Sequence, residues 1–187
     1  MAIYLIRHGE TPWALTHRHT GTTDIHLTAR GEEQARQLSA RLQGVDFARV
    51  MASPMERAMM TAELSGIQPC PEVTPGLMEF DYGEYEGITT AEIERLRPGW
   101  ELWRDGCPGG ESPRQVLDRS YQLLEELGPH PDQNYALFGH GHVLRAVAVA
   151  YLGLPLEVCP HLMVKVASIS ILNREHEVPA IESWDQT

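Results

Sequence analysis

The chain has 187 residues and a formal net charge of −11, from 15 basic and 26 acidic side chains, and 42% of its residues are hydrophobic. This acidic balance excludes a general nucleic-acid binder, which needs a basic surface. No apolar stretch approaches the roughly 20 residues of a membrane-spanning helix, so no membrane partner is expected. Three scattered cysteines and the lack of a secretory leader pattern predict a reduced, cytoplasmic protein.

Strand-like and helix-like segments alternate along the chain, which is typical of a mostly parallel sheet with helices on both faces. The expected strands are residues 2–7, 49–52, 70–74, 135–138, 164–172 and 179–184. The expected helices run from Thr28 to Gly44, from Ser53-Pro54 to about Leu64, over 90–97, from Ser112-Pro113 to about Leu127 and over 142–152. Ser53 is the expected N-cap of the second of these helices, with Pro54 as its first residue.

Three of the expected strands end in residues suited to an anion. The first is followed by Arg7-His8-Gly9, the second leads to Arg57 in the next helix, and a later one is followed by Gly139-His140-Gly141-His142. The carboxyl ends of parallel strands lie at one edge of a sheet, where ligands of open α/β folds bind. We therefore expect Arg7, His8, Arg57 and His140 to converge, with a phosphoryl group as the first candidate ligand.

These motifs resemble those of the histidine phosphatase superfamily, also called the phosphoglycerate mutase-like family. The signature is Arg7-His8-Gly9-Glu10-Thr11, and the three other motifs are Ser53-Pro54-Met55-Glu56-Arg57-Ala58, Glu79-Phe80-Asp81-Tyr82-Gly83 and Gly139-His140-Gly141. The resemblance implies a three-layer α/β/α fold around a mostly parallel sheet. It also implies one domain over residues 1–187, with 75–112 as a loop-rich excursion over the active site.

The resemblance further implies a role for each site residue. His8 would attack phosphorus and form a phosphohistidine. Arg7 and Arg57 would hold the phosphoryl oxygens, and His140 would stabilise them during transfer. Glu79 would protonate the leaving alkoxide and then deprotonate the attacking water. No metal or other cofactor is required, because the arginines supply the cationic clamp.

Departures from the mutases of the family favour a phosphatase. Residues 79–87 are acidic and lack the Arg-His-Tyr and Lys that the mutases carry after the donor Glu, and Ala14 replaces the family's usual Asn. Residues 18–24 and 106–112 instead resemble a subgroup of acid phosphatases and sugar bisphosphatases. The expected substrate is a small phosphomonoester such as a sugar phosphate. The residues expected to line its pocket, besides those named above, are Thr20, Gly21, Tyr82, Gly141 and His142.

Three alternatives stay open at this point. Phosphoglycerate mutase activity is the first, and a non-catalytic phospho-ligand binding module is weakened by the presence of both His8 and Glu79. A metal-dependent hydrolase is the third, and its ligands would come from His17, His19, Asp24, Asp81, His140 and His142. The sequence also leaves a homodimer open.

Overall fold

A computed structural model describes residues 2–128 and 133–187. Six strands form one sheet in the order β3-β2-β4-β1-β5-β6. They are β1 Ala2–Arg7, β2 Phe47–Ala52, β3 Glu72–Val73, β4 Asn134–Gly139, β5 Ile169–Glu175 and β6 Val178–Gln186. The first four run parallel, whereas β5 is antiparallel to β1 and β6 to β5. The predicted mostly parallel sheet is thus confirmed, with two antiparallel strands at one side.

Helices cover both faces of this sheet. They are α1 Pro12–Leu15, α2 Ala29–Leu42, α3 Glu56–Ser65, α4 Thr90–Leu96, α5 Leu102–Asp105, α6 Pro113–Leu127 and α7 Gly141–Leu152. Side chains alternate across β1, so Ile6 packs with α2 and α3, whereas Ile3 and Leu5 pack with α6 and α7. This is the α/β/α arrangement that the sequence predicts. No helix among the described residues has the length and apolar character needed to cross a membrane.

Several predicted boundaries shift by one or two residues, such as the strand expected over 70–74, which is only Glu72–Val73. Two boundaries are wrong by more, and each has a physical reason. The second long helix, α3, begins at Glu56 and not at Ser53-Pro54, because the Ser53 hydroxyl bonds to His140 instead of capping the helix. The strand expected over 164–172 begins only at Ile169. Ala167 stands before it at a φ of 52°, a left-handed conformation that breaks an extended run.

The segment 75–112 carries two short 3₁₀ turns, Pro75–Leu77 and Gly83–Tyr85, besides α4 and α5. Its aromatic side chains, Phe80 and Tyr82 among them, form a second buried cluster against α6 and α7. A third 3₁₀ turn, Leu156–His161, contacts both α5 and α7. The excursion is therefore packed on the helical layer and carries its polar side chains to the carboxyl edge of the sheet.

Candidate active site

A cavity of about 230 Å³ opens beyond the carboxyl ends of β1 and β4. In the β1–β4 register Arg7 stands opposite Gly139, so the signature and the second histidine motif emerge side by side. Seven of the ten predicted site residues line this cavity: Arg7, His8, Thr20, Glu79, Tyr82, Gly141 and His142. Arg57, His140 and Gly21 do not line the cavity but adjoin residues that do: Arg57 bonds to the Thr20 carbonyl, His140 packs on His8, and Gly21 follows Thr20.

His8 lies in the cavity wall as a neutral imidazole. Its Nδ1 is 2.7 Å from the Gly9 carbonyl oxygen, which only accepts, so Nδ1 carries the proton and Nε2 keeps its lone pair. Burial lowers the pKa of His8 well below the usual 6.5, and the positive charges of Arg7 and Arg57 lower it further. The imidazole is therefore held in the nucleophilic form over the whole neutral pH range.

The turn after His8 depends on a close approach between two glycines. The Gly9 N–H donates to Thr61 Oγ1 at 3.0 Å, which ties the turn to α3. A Cβ at Gly9 would lie 2.4 Å from the Gly31 carbonyl oxygen, and a Cβ at Gly31 would lie 2.1 Å from that of Glu10. Both are clashes with backbone that cannot move aside, so the chain needs glycine at both positions.

Arg7 reaches the cavity with part of its hydrogen-bonding capacity unused. Its Nη1 donates to the Val164 carbonyl at 2.5 Å, while its buried Nε has no acceptor among the described residues. Its guanidinium passes close to the backbone of Gly141, where a Cβ would be 3.4 Å from Arg7 Cζ. A guanidinium with free donors at the end of β1 is suited to an anion in the cavity.

Arg57 is fully buried and holds the neighbouring loop. Its Nη1 donates to the Thr23 carbonyl at 3.0 Å, and its Nη2 donates to those of Thr20 and Gly21 at 3.0 and 2.9 Å. Its Nε donates to His140 Nδ1 at 3.1 Å. Burial lowers the pKa of Arg57, while Glu79 and Asp24 raise it. Arg57 thus shapes the wall that presents Thr20 to the cavity.

His140 links Arg57 to the end of β2. Because its Nδ1 accepts from Arg57, its Nε2 carries the proton, and Nε2 is 2.8 Å from Ser53 Oγ. Its ring centroid is 5.1 Å from that of His8. Burial lowers the pKa of His140 well below 6.5, and Arg57 adds to the effect. The sequence assigned Ser53 to a helix cap and so missed this contact.

Glu79 sits on the N-terminus of α7. Its carboxylate accepts hydrogen bonds from the backbone N–H groups of Phe80, His142 and Val143 at 3.0, 3.0 and 2.9 Å. The residue is 7% exposed and lines the same cavity as His8. These donors and the positive end of the helix dipole fix the position of the carboxylate.

An ion pair that the sequence missed holds the Glu79 segment in place. Arg119 of α6 makes a two-point contact with Glu111, at 2.9 and 3.0 Å, and also donates to the carbonyls of Gly76, Met78 and Glu79. Glu111 in turn accepts from the Asp81 N–H at 2.9 Å. Spacing along α6 does not reveal this role, because the three carbonyls lie 40 to 43 residues before Arg119 in the chain.

Replacing Arg119 with Gln is therefore expected to lower kcat about 10-fold or more and to reduce the free energy of unfolding by about 2 kcal/mol, because three carbonyls and Glu111 lose their donor. Steady-state kinetics and urea unfolding measure the two effects. Arg114→Gln removes an exposed α6 arginine paired with Asp118, and it should change neither. Equal behaviour of the two variants would contradict the positioning role of Arg119.

Aromatic side chains and their neighbours form another part of the cavity wall. Tyr82 Oη is 2.5 Å from His142 Nδ1, and the His19 ring lies 4.7 Å from Tyr82 and 6.0 Å from His142. Trp100 and Trp103 pack edge-on against His19 and His142 respectively. Burial lowers the pKa of His142 well below 6.5 and that of His19 to about 4. This wall is thus uncharged at neutral pH.

Three of the six residues considered as metal ligands form hydrogen bonds within the protein instead. Asp24 Oδ1 accepts from the Glu56 N–H at 2.9 Å, and Asp81 Oδ1 accepts from the Gly83 N–H at 2.9 Å. Both ring nitrogens of His140 already bond to protein groups. Within residues 2–128 and 133–187, no three His, Cys, Asp or Glu side chains stand close enough together to hold a metal ion. The geometry gives the metal-hydrolase alternative no support.

Comparison with known protein families shows to which family the chain belongs. The family profile of the histidine phosphatase superfamily, branch 1, matches residues 3–187. The chain belongs to the histidine phosphatase superfamily. The predicted family is thereby confirmed, and so is the enzyme class.

Relatives of this histidine phosphatase include both phosphatases and mutase-like proteins. An acid phosphatase of Mycobacterium tuberculosis is 42% identical over 180 residues, covering 94% of this chain and 88% of the relative. Sedoheptulose 1,7-bisphosphatase of Saccharomyces cerevisiae is 31% identical, covering 82% and 68%. A probable phosphoglycerate mutase of Salmonella choleraesuis is 32% identical, covering 98% and 90%. The solved structure of the Mycobacterium tuberculosis Rv3214 product superposes with a TM-score of 0.94 at 38% identity, covering 100% of this chain and 97% of that one.

The stability of this histidine phosphatase should fall as the pH falls from 6.5 toward 4. His8, His19, His140 and His142 have folded-state pKa values below 6.5, to about 4 for His19. Below pH 6.5 these histidines therefore bind protons in the unfolded chain but stay neutral in the folded chain. Each such histidine costs about 1.4 kcal/mol of unfolding free energy per pH unit while this difference persists.

Urea unfolding at pH 7, 6 and 5 measures this slope. His19→Asn should reduce it, whereas His176→Asn, on the exposed turn between β5 and β6, should leave it as in the wild type. An unfolding free energy that stays constant from pH 7 to 5 would show that the buried histidines are not held neutral.

Proposed function

We propose that this histidine phosphatase hydrolyses small phosphomonoesters through a phosphohistidine on Nε2 of His8. The observation that carries the proposal is the hydrogen bond from His8 Nδ1 to the Gly9 carbonyl, which leaves Nε2 as a neutral nucleophile in the cavity wall. A nucleophile with this environment divides one difficult hydrolysis into two easier transfers.

In the first transfer, His8 Nε2 bonds to phosphorus, the ester P–O bond breaks, and the leaving oxygen takes a proton from Glu79. In the second, Glu79 takes a proton from water, the water oxygen bonds to phosphorus, and the P–N bond breaks. His8 then returns to its neutral form. Glu79 thus gives up its proton in the first transfer and regains one from water in the second.

We assign Arg7, Arg57 and His140 to the phosphoryl oxygens, as a cationic and N–H-donating environment for the transferred group. Arg7 supports this assignment most directly, because it lines the cavity with unused donors. For His140 the assignment requires its Nε2–H to exchange Ser53 Oγ for a phosphoryl oxygen. Arg57 would then act mainly through its charge and its hydrogen bond to His140.

Hydrolysis is favoured over mutase activity by the acidic loop after Glu79. Glu86 accepts hydrogen bonds from the Gly21 and Thr23 N–H groups, so this loop braces the cavity wall and supplies no cation for a second phosphoryl transfer. The volume of about 230 Å³ suits a small metabolite. The acid phosphatase and bisphosphatase relatives support a sugar phosphate as the substrate. The mutase-like relative supports phosphoglycerate mutase activity as the alternative.

We also propose a domain organisation and a cellular compartment for the enzyme. We expect residues 1–187 to work as one domain, because the aromatic cluster of the 75–112 excursion packs on α6 and α7. Cytoplasmic conditions suit the three free cysteines, of which Cys107 and Cys159 are buried and have pKa values raised by burial to about 12.

Phosphate release from a sugar phosphate, a sugar bisphosphate and 3-phosphoglycerate tests the proposal, with the isomeric phosphoglycerate measured in parallel. We expect inorganic phosphate and the free alcohol in equal amounts. Interconversion of phosphoglycerates without phosphate release would establish a mutase instead. Absence of phosphate release from the whole panel would contradict phosphomonoester hydrolysis.

A further inference from the structure

A further arginine, Arg145, lines the same cavity, and none of the motifs above includes it. It stands on α7 three residues after His142, so the two side chains are neighbours on one face of the helix. Its Nε is buried and has no hydrogen-bond partner among the residues that the structure describes. A half-buried guanidinium therefore faces the substrate space with unused donors.

The nearby carboxylates do not satisfy this cation. Glu79 and Asp185 are the acidic groups whose charge acts on Arg145. Glu79 is held by three backbone N–H groups, and Asp185 is paired with Lys165 Nζ at 3.1 Å. In the described part of the chain, neither approaches Arg145 closely enough to form an ion pair.

The contrast with Arg119 shows how unusual this arrangement is. Arg119 is also half-buried, and its guanidinium donates five hydrogen bonds to carboxylate and carbonyl oxygens. Removing a charge from water without such partners costs several kcal/mol in general. The simplest explanation for the unpaired guanidinium of Arg145 at the cavity wall is that the bound ligand supplies an anion.

The position of Arg145 indicates which part of the ligand carries that anion. Glu79 is the group that meets the ester oxygen in the proposed reaction, and Arg145 lies beside Glu79 and His142. Arg145 is therefore on the side of the leaving group. We propose that Arg145 binds a second anionic group, carried by the leaving group. The substrates are then phosphomonoesters with a second phosphate or a carboxylate, an inference that rests on the proposed function.

Two matched substrate pairs test this inference. 3-Phosphoglycerate and glycerol 3-phosphate differ in a carboxylate, and fructose 1,6-bisphosphate and fructose 6-phosphate differ in a second phosphate. The wild type should prefer the member with the second anion in at least one pair, and the pair identifies the chemistry. Arg145→Gln should raise KM for that member about 10- to 100-fold and change the other member less than about 3-fold, the range expected for one charge-assisted contact.

Three further measurements separate specific binding from damage to the site. Arg145→Lys should restore part of the preference, because it keeps the charge and loses the planar fork. Inhibition by inorganic phosphate should stay within about 2-fold of the wild type in Arg145→Gln. Arg36→Gln, on the exposed face of α2, should behave as the wild type throughout.

Equal losses on both members of each pair, or an equally weakened inhibition by phosphate, would overturn the inference, because Arg145 would then act on the scissile phosphoryl group. Wild-type hydrolysis without preference would overturn it while leaving the proposed function intact. Calorimetric binding of the four compounds to His8→Asn, with and without Arg145→Gln, decides the inference independently of turnover. Loss of selectivity in the double variant supports it, and unchanged affinities contradict it.

Discussion

Replacing His8 with Asn is expected to lower kcat for phosphate release about 10⁴-fold or more, the order of loss seen when a covalent nucleophile is removed. The Asn amide keeps a donor near the Gly9 carbonyl, which His8 Nδ1 contacts at 2.7 Å, but it has no counterpart of the nucleophilic Nε2. The fold and the affinity for inorganic phosphate should therefore change little.

Steady-state phosphate release, thermal unfolding and phosphate binding measure these three effects. His161→Asn, at the exposed last residue of the third 3₁₀ turn, is the matched control and should keep wild-type activity. A His8→Asn protein that retains a tenth of wild-type kcat would show that hydrolysis does not pass through His8.

Replacing Glu79 with Gln is expected to lower kcat for alkyl phosphates about 10²- to 10⁴-fold, the usual contribution of a general acid–base group. The loss should be much smaller in the first transfer from an aryl phosphate, because a phenolate leaves without a proton. The second transfer stays slow for both esters, since no carboxylate remains to deprotonate water. The phosphoenzyme should consequently accumulate.

Single-turnover kinetics with an alkyl and an aryl phosphate separates the two transfers. Glu84→Gln changes an exposed carboxylate in the same loop and should leave both transfers unchanged. An equal loss of the first transfer with both esters would contradict proton donation by Glu79. It would instead indicate that Glu79 serves only to anchor the N-terminus of α7.

Much of the site could be predicted because its residues follow strand ends. The apolar run of β1 and the Arg7-His8-Gly9 turn predict where a cation and an imidazole emerge, and the β1–β4 register brings the Gly139 turn beside them. The family resemblance added Glu79, whose position rests on backbone N–H groups of α7 that no local pattern reveals.

The errors and omissions have a common physical origin in contacts between distant residues. Ser53-Pro54 has the local chemistry of a helix start, but His140 engages the Ser53 hydroxyl from a sequence distance of 87 residues. Arg119 and Arg145 look like ordinary helix charges, and only tertiary packing shows that one holds the Glu79 segment and the other faces the cavity.

The most direct measurement is identification of the phosphorylated atom. Wild type and Glu79→Gln are incubated with an aryl phosphate, quenched in alkali, digested, and analysed by mass spectrometry and ³¹P NMR. The proposed mechanism predicts an acid-labile phosphoramidate on Nε2 of His8, more abundant in Glu79→Gln than in wild type. Absence of a phosphoenzyme from both proteins, or phosphate on any other residue, would contradict it.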